Sequence, residues 1–364
     1  MLNKIARVNK KNRRKDNQNV EILDIFKFLC IEKSEVAWLR DNASYKKIKL
    51  KGKTIYIPEP RLKKVQKRLA ELFSCILFQH YAVCSYSKRV GVKQCLSAHA
   101  SGTGLLKTDI VNFFGHISRS EVVSYLKYFV GISNIDIWKA SSSMSDTCKN
   151  AYDAFPMTTG STLTLKETNY VLGDEDISAI ADIVTHLDSL PIGAPTSPIL
   201  SNAIPFKMDL RINNFAKQRN LTYTRYADDI LISSYYNKNF YQKFWAKNGR
   251  RDKSMPRHSG NLYKFLPILI DIISYYGFTV NKDKTSIVKD TGRKSAFGIT
   301  VNKSDSKSKT RVNRKKRRKI RAERHQLELD KRKAVKNEDL LDYRTNINER
   351  KLEGKESWIR YIAK

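Results

Sequence analysis

Thr222–Ser234 reads TYTRYADDILISS, two short runs of β-branched and aromatic residues around one acidic pair. The spacing predicts two strands joined by a tight turn that carries Asp228 and Asp229. Adjacent carboxylates repel, and a divalent cation relieves that repulsion. Along a strand their side chains point to opposite faces, whereas a tight turn can aim both at one site. An acidic pair alone is ordinarily a solvated surface turn. Here Tyr223, Tyr226, Ile230, Leu231 and Ile232 flank the pair with apolar surface, which a solvated turn does not need.

Upstream, Leu105-Leu106-Lys107-Thr108-Asp109-Ile110 ends an apolar strand on a third carboxylate, with Phe113-Phe114 just beyond. Three hard oxygen ligands suit Mg²⁺. Two such ions, roughly 3.5–4 Å apart, can activate an attacking hydroxyl and stabilise a leaving pyrophosphate. Between these segments lies Leu190-Pro191-Ile192-Gly193-Ala194-Pro195-Thr196-Ser197-Pro198. Its prolines stiffen a loop, Gly193 permits close backbone approach, and Thr196 or Ser197 can cap the helix that follows. By itself such a loop is equally a plain connector.

Charge narrows the function classes. The 364 residues hold 69 Lys and Arg against 36 Asp and Glu, a formal charge of +33. A chain this basic attracts polyanions, nucleic acid first among them. The longest apolar stretch, Phe265 to Phe278, is too short for a bilayer and contains Asp271, so no membrane partner is expected. The basic start MLNKIARVNKKNRRK lacks the apolar core of a secretory signal. Five cysteines (Cys30, Cys75, Cys84, Cys95, Cys148), an odd number with no C-x-x-C spacing, fit a reducing cytoplasm and no zinc or disulfide framework.

Organisation follows from periodicity. Residues 1–18 read as a basic arm and 20–40 as a helix. Residues 46–60 alternate around Lys-Gly-Lys as a hairpin, and 61–84 form a helix with Leu62, Val65, Leu69, Leu72 and Ile76 on one face. A helix starts near Ser118, 133–190 is a weakly patterned insert, and 198–219 is helical. A second polar insert spans 235–260, whose aromatics from Tyr235 to Trp245 suit packing more than base stacking. Helix 262–276 precedes two strand-like runs, GFTVN and KSAFGITVN. Within 307–321 ten residues are basic and none acidic, and the chain goes on to the apolar cluster Trp358, Ile359, Tyr361 and Ile362. That combination favours a small helical lobe over a free tail. His80, His99 and His325 read as structural residues or RNA contacts.

The order of these parts, with Gly277-x-x-x-Asn281-x-x-Lys284-Thr285 after the acidic pair, resembles bacterial reverse transcriptases from about Lys53 to Asn302. The resemblance implies an α+β right-hand polymerase: fingers over 19–104, an antiparallel-sheet palm over 105–302 and a basic helical thumb over 303–364. It places Asp109, Asp228 and Asp229, with Ile110, at metal-binding positions for two Mg²⁺ ions, Mn²⁺ being a substitute. Lys284 falls near the lysine that protonates pyrophosphate, and Phe114 falls on the gate that rejects a ribose 2′-OH. Lys53, Lys63, Gly193 and Ala194 fall on the nucleotide side. Tyr226, Lys315, Lys316, Arg317, Arg318 and Arg321 fall on the nucleic-acid side. Asn202 also matches, while Ile192 replaces a frequent glutamine.

Length and the thumb-like end (Arg317 to His325, then Leu352 to Ile362) resemble the retron type. Leu96-Ser97-Ala98-His99 and Ala296-Phe297-Gly298 match that type only in part. A retron enzyme would use dNTPs and bind a structured non-coding RNA. Priming from an RNA 2′-OH, it would make single-stranded DNA that stays attached, in anti-phage defence with a separate effector protein. The alternatives are another phage-defence reverse transcriptase, an RNA-dependent RNA polymerase, which the bulk of Phe114 opposes, and a non-catalytic RNA-binding scaffold.

Overall fold

A computed structural model describes residues 20–50, 52–86, 91–100, 102–129, 132–133, 169–235, 259–288, 292–301, 310–336 and 343–363. The basic arm at 1–18, residues 134–168 of the first insert, residues 236–258 of the second with their aromatics, and Cys148 lie outside the described residues. Among the described residues, Cys30, Cys75, Cys84 and Cys95 form no disulfide.

From the N-terminus, β1 (Val20–Leu23) precedes the single-turn α1 (Ile25–Phe28) and α2 (Lys33–Asn42). This corrects the one helix expected over 20–40. The Asp24 carboxylate accepts from the Lys27 amide at 3.0 Å and so caps a fresh helix start. Cys30, at φ 52°, then interrupts the helical run. β2 (Tyr45–Leu50) and β3 (Lys53–Pro58) form the expected hairpin, with Gly52 at φ 77° in its turn.

α3 (Pro60–Ile76) has Pro60 in its first turn and Glu59 capping the Leu62 amide. It stops short of the expected Cys84. Residues 82–84 are instead extended: the Arg225 amide donates to Ala82 and the Cys84 amide to Arg225. Next come α4 (Val92–Ser97), β4 (Gly102–Asp109), a 3₁₀ turn at Phe114–His116, α5 (Arg119–Phe129) and β5 (Ile132–Ser133). β6 (Asn169–Leu172) and α6 (Asp174–Val184) correct the weak pattern expected up to 190. Ile177, Ile180, Ala181 and Val184 bury one stripe of α6, a helical period obscured by the Ser- and Thr-rich stretch before it.

α7 (Ser197–Ala203) and α8 (Phe206–Gln218) replace the single helix expected over 198–219. Pro205 has no N–H to donate and its ring blocks the preceding turn. β7 (Leu221–Tyr226) and β8 (Asp229–Tyr235) are the two expected strands, and α9 (Ser259–Tyr275) the expected helix. β9 (Ser286–Val288) was not expected. GFTVN adds only a bridge between Val280 and Ile110. KSAFGITVN folds back on itself as β10 (Ser295–Ala296) and β11 (Ile299–Thr300), because Phe297 and Gly298 both take positive φ, 55° and 73°. β12 (Arg311–Val312), α10 (Arg314–Lys336) and α11 (Tyr343–Ala363) complete the chain as the expected helical C-terminal region.

Two units emerge. The first joins Met1–His80 with Asn112–Phe206. It holds the sheet β1-β6-β5, the β2-β3 hairpin and the helices packed around α6. In it the Tyr56 amide donates to the Ile192 carbonyl at 2.8 Å. Gly193, at φ 118°, leaves no room for a Cβ, which would sit 2.7 Å from the Tyr56 carbonyl.

The second unit joins Tyr81–Val111 with Lys207–Lys364. Its antiparallel sheet runs β7-β8-β4-β9, with α9 against β4 and β8. Leu96, Leu105, Leu231, Ile299, Val312 and Ile362 share one core, so the C-terminal apolar cluster seats the end of α11 on this unit. His99 is buried and satisfied, contacting Thr224 on β7 at 2.8 Å and Ser233 on β8 at 2.7 Å. Burial lowers its pKa from 6.5 to about 4. The unfolded chain therefore takes up the proton first on acidification. The contribution of neutral His99 is complete above pH 6.5 and is lost as pH falls toward 4, to a total of roughly 3 kcal/mol. Denaturant unfolding at pH 7 and pH 5 should show about 2 kcal/mol of this loss, and His99→Gln should reduce it.

Candidate metal centre

The expected hairpin positions the acidic pair. Tyr226 and Asp229 close the β7-β8 ladder, leaving Ala227 and Asp228 as the two turn residues. Ala227 takes φ 55°, a left-handed conformation that costs an alanine about 1 kcal/mol or more. Asp109 lies directly opposite Asp229 in the β4-β8 register. The Ile110 amide donates to the Asp228 carbonyl at 2.9 Å, tying the turn to the end of β4. Carboxylate oxygens of Asp109, Asp228 and Asp229 thereby come within 4.8 Å of one another. Asp109 is buried, while the other two are half-buried.

Two ammonium groups answer this negative charge. Lys284 Nζ lies 3.0 Å from Asp109 Oδ2, and Lys107 Nζ lies 3.3 Å from Asp229 Oδ1. Lys107 precedes Asp109 by two residues and so shares its face of β4. Burial pushes the Asp229 carboxyl above the usual carboxylate range, against the pull of Lys107, and the neighbouring Asp228 and Asp109 charges push it further. The hydrogen bond and charge of Asp109 hold the Lys284 ammonium above its ordinary range.

The Gly-x-x-x-Asn-x-x-Lys-Thr segment is a bracket for Asp109 and Lys284. Gly277, at φ 80°, ends α9 and turns the chain back. The Asn281 amide donates to the Asp109 carbonyl at 2.7 Å. Its side-chain oxygen accepts from the Asp283 and Lys284 amides, fixing where Lys284 projects. Thr285 donates to the Asn281 carbonyl and meets the Thr108 hydroxyl at 2.7 Å.

Under the hairpin lies a buried ion pair. Arg225 and Asp209 are both fully buried, joined at 2.8 Å (Nε to Oδ1) and 2.7 Å (Nη2 to Oδ2). The Tyr223 hydroxyl also donates to Asp209, at 2.5 Å. Arg225 Nη1 reaches the Ala227 carbonyl at 3.1 Å, and the Ala227 amide donates to Ser85 Oγ at 2.9 Å.

Among the residues expected at a site, Asp109, Ile110, Asp228, Asp229, Lys284 and Tyr226 sit together in the second unit. The buried Ile110 side chain is a hydrocarbon with no ligand atom, so only its backbone carbonyl could reach an ion. Tyr226 is half-buried, its ring 5.1 Å from that of Phe297. Lys53, Lys63, Phe114, Gly193 and Ala194 belong to the first unit. There Lys53 and Lys63 are exposed, and Phe114 meets buried Phe113 edge to face. Lys315, Lys316, Arg317, Arg318 and Arg321 lie on α10, where Lys316 covers the Trp358 ring at 4.0 Å. Lys107, Asp209, Arg225 and Ser85 escaped the sequence reading, although the strand period alone places Lys107 beside Asp109.

The donor set is all hard oxygen, and its three carboxylates carry one more charge than Lys107 and Lys284 offset, so a divalent cation fits. Added Mn²⁺ should stabilise the folded chain, by about 2.7 kcal/mol at 100 times its Kd. Asp109→Asn should abolish most of the shift in a thermal melt. An unchanged shift would place the ion elsewhere.

Residues 46–319 match the reverse transcriptase (RNA-dependent DNA polymerase) family. Retron Ec83 reverse transcriptase of Escherichia coli is 28% identical over 54% of this chain and 54% of its own. Retron Ec86 reverse transcriptase of the same species is 31% identical over 41% of this chain and 39% of its own. Retron Se72 reverse transcriptase of Salmonella heidelberg is 24% identical over 75% of this chain and 58% of its own. The matches thus span about half the length of these relatives. No helix among the described residues is long and apolar enough to cross a membrane.

Proposed function

The chain belongs to the reverse transcriptase (RNA-dependent DNA polymerase) family, and we propose that it acts as an RNA-directed DNA polymerase of a retron. The observation that carries this reading is the meeting of Asp109, Asp228 and Asp229 at the end of an antiparallel sheet, with Lys284 beside them. Two Mg²⁺ ions held there, with Mn²⁺ as a substitute, would make an attacking 3′- or 2′-hydroxyl easier to deprotonate and would offset the negative charge of the departing pyrophosphate.

The protein's own part is positioning and charge, as in other phosphoryl transfers. Asp109, Asp228 and Asp229, with the Ile110 carbonyl, would hold the ions. The exposed Lys284 ammonium would give its proton to pyrophosphate. Phe114 would exclude a ribose 2′-OH and select dNTPs, while Lys53, Lys63 and the Gly193-Ala194 backbone would meet the nucleotide phosphates. In this reading 19–104 form the fingers after the 1–18 arm, 105–302 the palm with its two inserts, and 303–364 the thumb. Tyr226 would touch the growing duplex.

The α10 segment Arg314–Arg321 has seven cations and no acid, the charge pattern that grips an RNA backbone by shape. The retron type is supported by the three curated relatives. Priming from an RNA 2′-OH, the RNA-linked DNA product, a cytoplasmic role in anti-phage defence and a separate effector protein rest on resemblance to such systems.

The test is to purify the protein with its native locus and sequence the nucleic acid it retains. Short single-stranded DNA joined to a structured RNA is expected, and replacing both Asp228 and Asp229 by Ala should erase the DNA while RNA binding persists. Bound RNA without attached DNA, or repetitive DNA, would move the chain to another class of defence reverse transcriptase. Phe114→Ala should raise rNTP incorporation by roughly tenfold or more, about 1.4 kcal/mol of lost discrimination. A wild type that already prefers rNTPs would sink the gate assignment.

A further inference from the structure

We propose that the buried Asp209–Arg225 pair is a positioning device for the metal centre, acting through the backbone of Ala227. Replacing a buried ion pair by apolar residues of similar volume often leaves stability unchanged or improved, so net stability is a poor account of why one lies here. Its hydrogen bonds supply a better account. Asp209 accepts from Arg225 twice and from Tyr223 once, which fixes the guanidinium plane. The remaining nitrogen, Nη1, is thereby aimed at the Ala227 carbonyl.

Ser85 holds the other side of the same residue by accepting the Ala227 N–H. Both peptide groups flanking a left-handed alanine are therefore gripped by buried side chains. The next residue is Asp228, whose own carbonyl accepts from Ile110. Once Ala227 is fixed, the direction of the Asp228 side chain is fixed too, and with it the meeting of three carboxylates. The reach is long in sequence: Asp209 lies on α8 and Ser85 beyond the end of α3, and neither touches an ion. They are positioning residues. The inference rests on the reading of the three carboxylates as a metal centre.

Tyr223→Phe and Ser85→Ala each remove one hydroxyl and leave the ion pair intact, so both variants should fold. Asp209→Asn is the harsher test, because it strands a buried cation. The measurement is Mn²⁺ binding to the full-length protein by electron paramagnetic resonance, beside the Mg²⁺ concentration giving half-maximal DNA synthesis. Each mild variant should bind Mn²⁺ about three- to tenfold more weakly, the worth of one hydrogen bond. Each should also need correspondingly more Mg²⁺, with cooperative thermal unfolding retained. Lowered melting temperature with wild-type Mn²⁺ affinity in both variants would reduce the pair to a structural element and overturn the inference. Weakened Mn²⁺ binding in a protein whose wild type makes no DNA would leave the positioning role standing and remove the polymerase reading.

Discussion

Mutual repulsion among Asp109, Asp228 and Asp229 is the constraint around which the second unit is arranged. Three carboxylates within 4.8 Å would move apart if the chain allowed it. The chain does not allow it because each is held from its backbone. Asp109 is fixed through the Asn281 amide, Asp228 through Ile110, and Asp229 by its place opposite Asp109 in the ladder. Lys107 and Lys284 lower the cost without removing it, since each is partly exposed and screened by water. A site that stays under-compensated while rigid is one that attracts a cation, which is the condition the proposed chemistry needs.

The same logic distinguishes the two ends of α10. Toward its C-terminal half, Arg324 is paired with Glu349 and Glu356, Lys331 with Glu349, and Glu323 with Lys355, all on α11. Those charges hold two helices together, together with Ile320, Leu327 and Leu352 in a small core. Partly exposed pairs of this kind contribute little singly, because water screens them. The N-terminal turns from Arg314 to Arg321 contain no acid. One helix thus divides its cations between pairs with α11 and an acid-free N-terminal run, on which the proposed RNA contact rests.

The sequence made the meeting of Asp109, Asp228 and Asp229 legible before it made the architecture legible. The turn at Asp228-Asp229, the carboxylate ending β4 and the Asn281–Lys284 bracket are each local patterns whose meaning survives without a fold. Boundaries fared worse where a single residue outweighed periodicity: Asp24 capping a new helix, Cys30 entering positive φ, Pro205 splitting 198–219. The α6 stripe was hidden by the polar stretch that precedes it. Asp209 was illegible for a different reason. It sits on an amphipathic helix 16 residues before Arg225, and nothing local separates a buried acid from a solvated one.

Local rules are broken most densely at the same place. An alanine in the left-handed region, clustered carboxylates and a guanidinium sealed from water all fall within a few residues of Asp228. Elsewhere in the second unit most choices agree with one another: β-branched strands, Gly277 and Gly298 at positive φ, which Tyr86, Asn220 and Phe297 also take, and a histidine with both ring nitrogens satisfied. Such conflict is expected where a structure has been fitted to a task rather than to its own stability. The surrounding agreement is what makes it tolerable. The fully buried strand residues Leu106, Ile230, Leu231 and Ile232 fix the ladder on which the strained turn is mounted. The turn cannot relax without breaking the sheet, and this rigidity lets one arginine, held from a distant helix, set the direction of an acidic side chain.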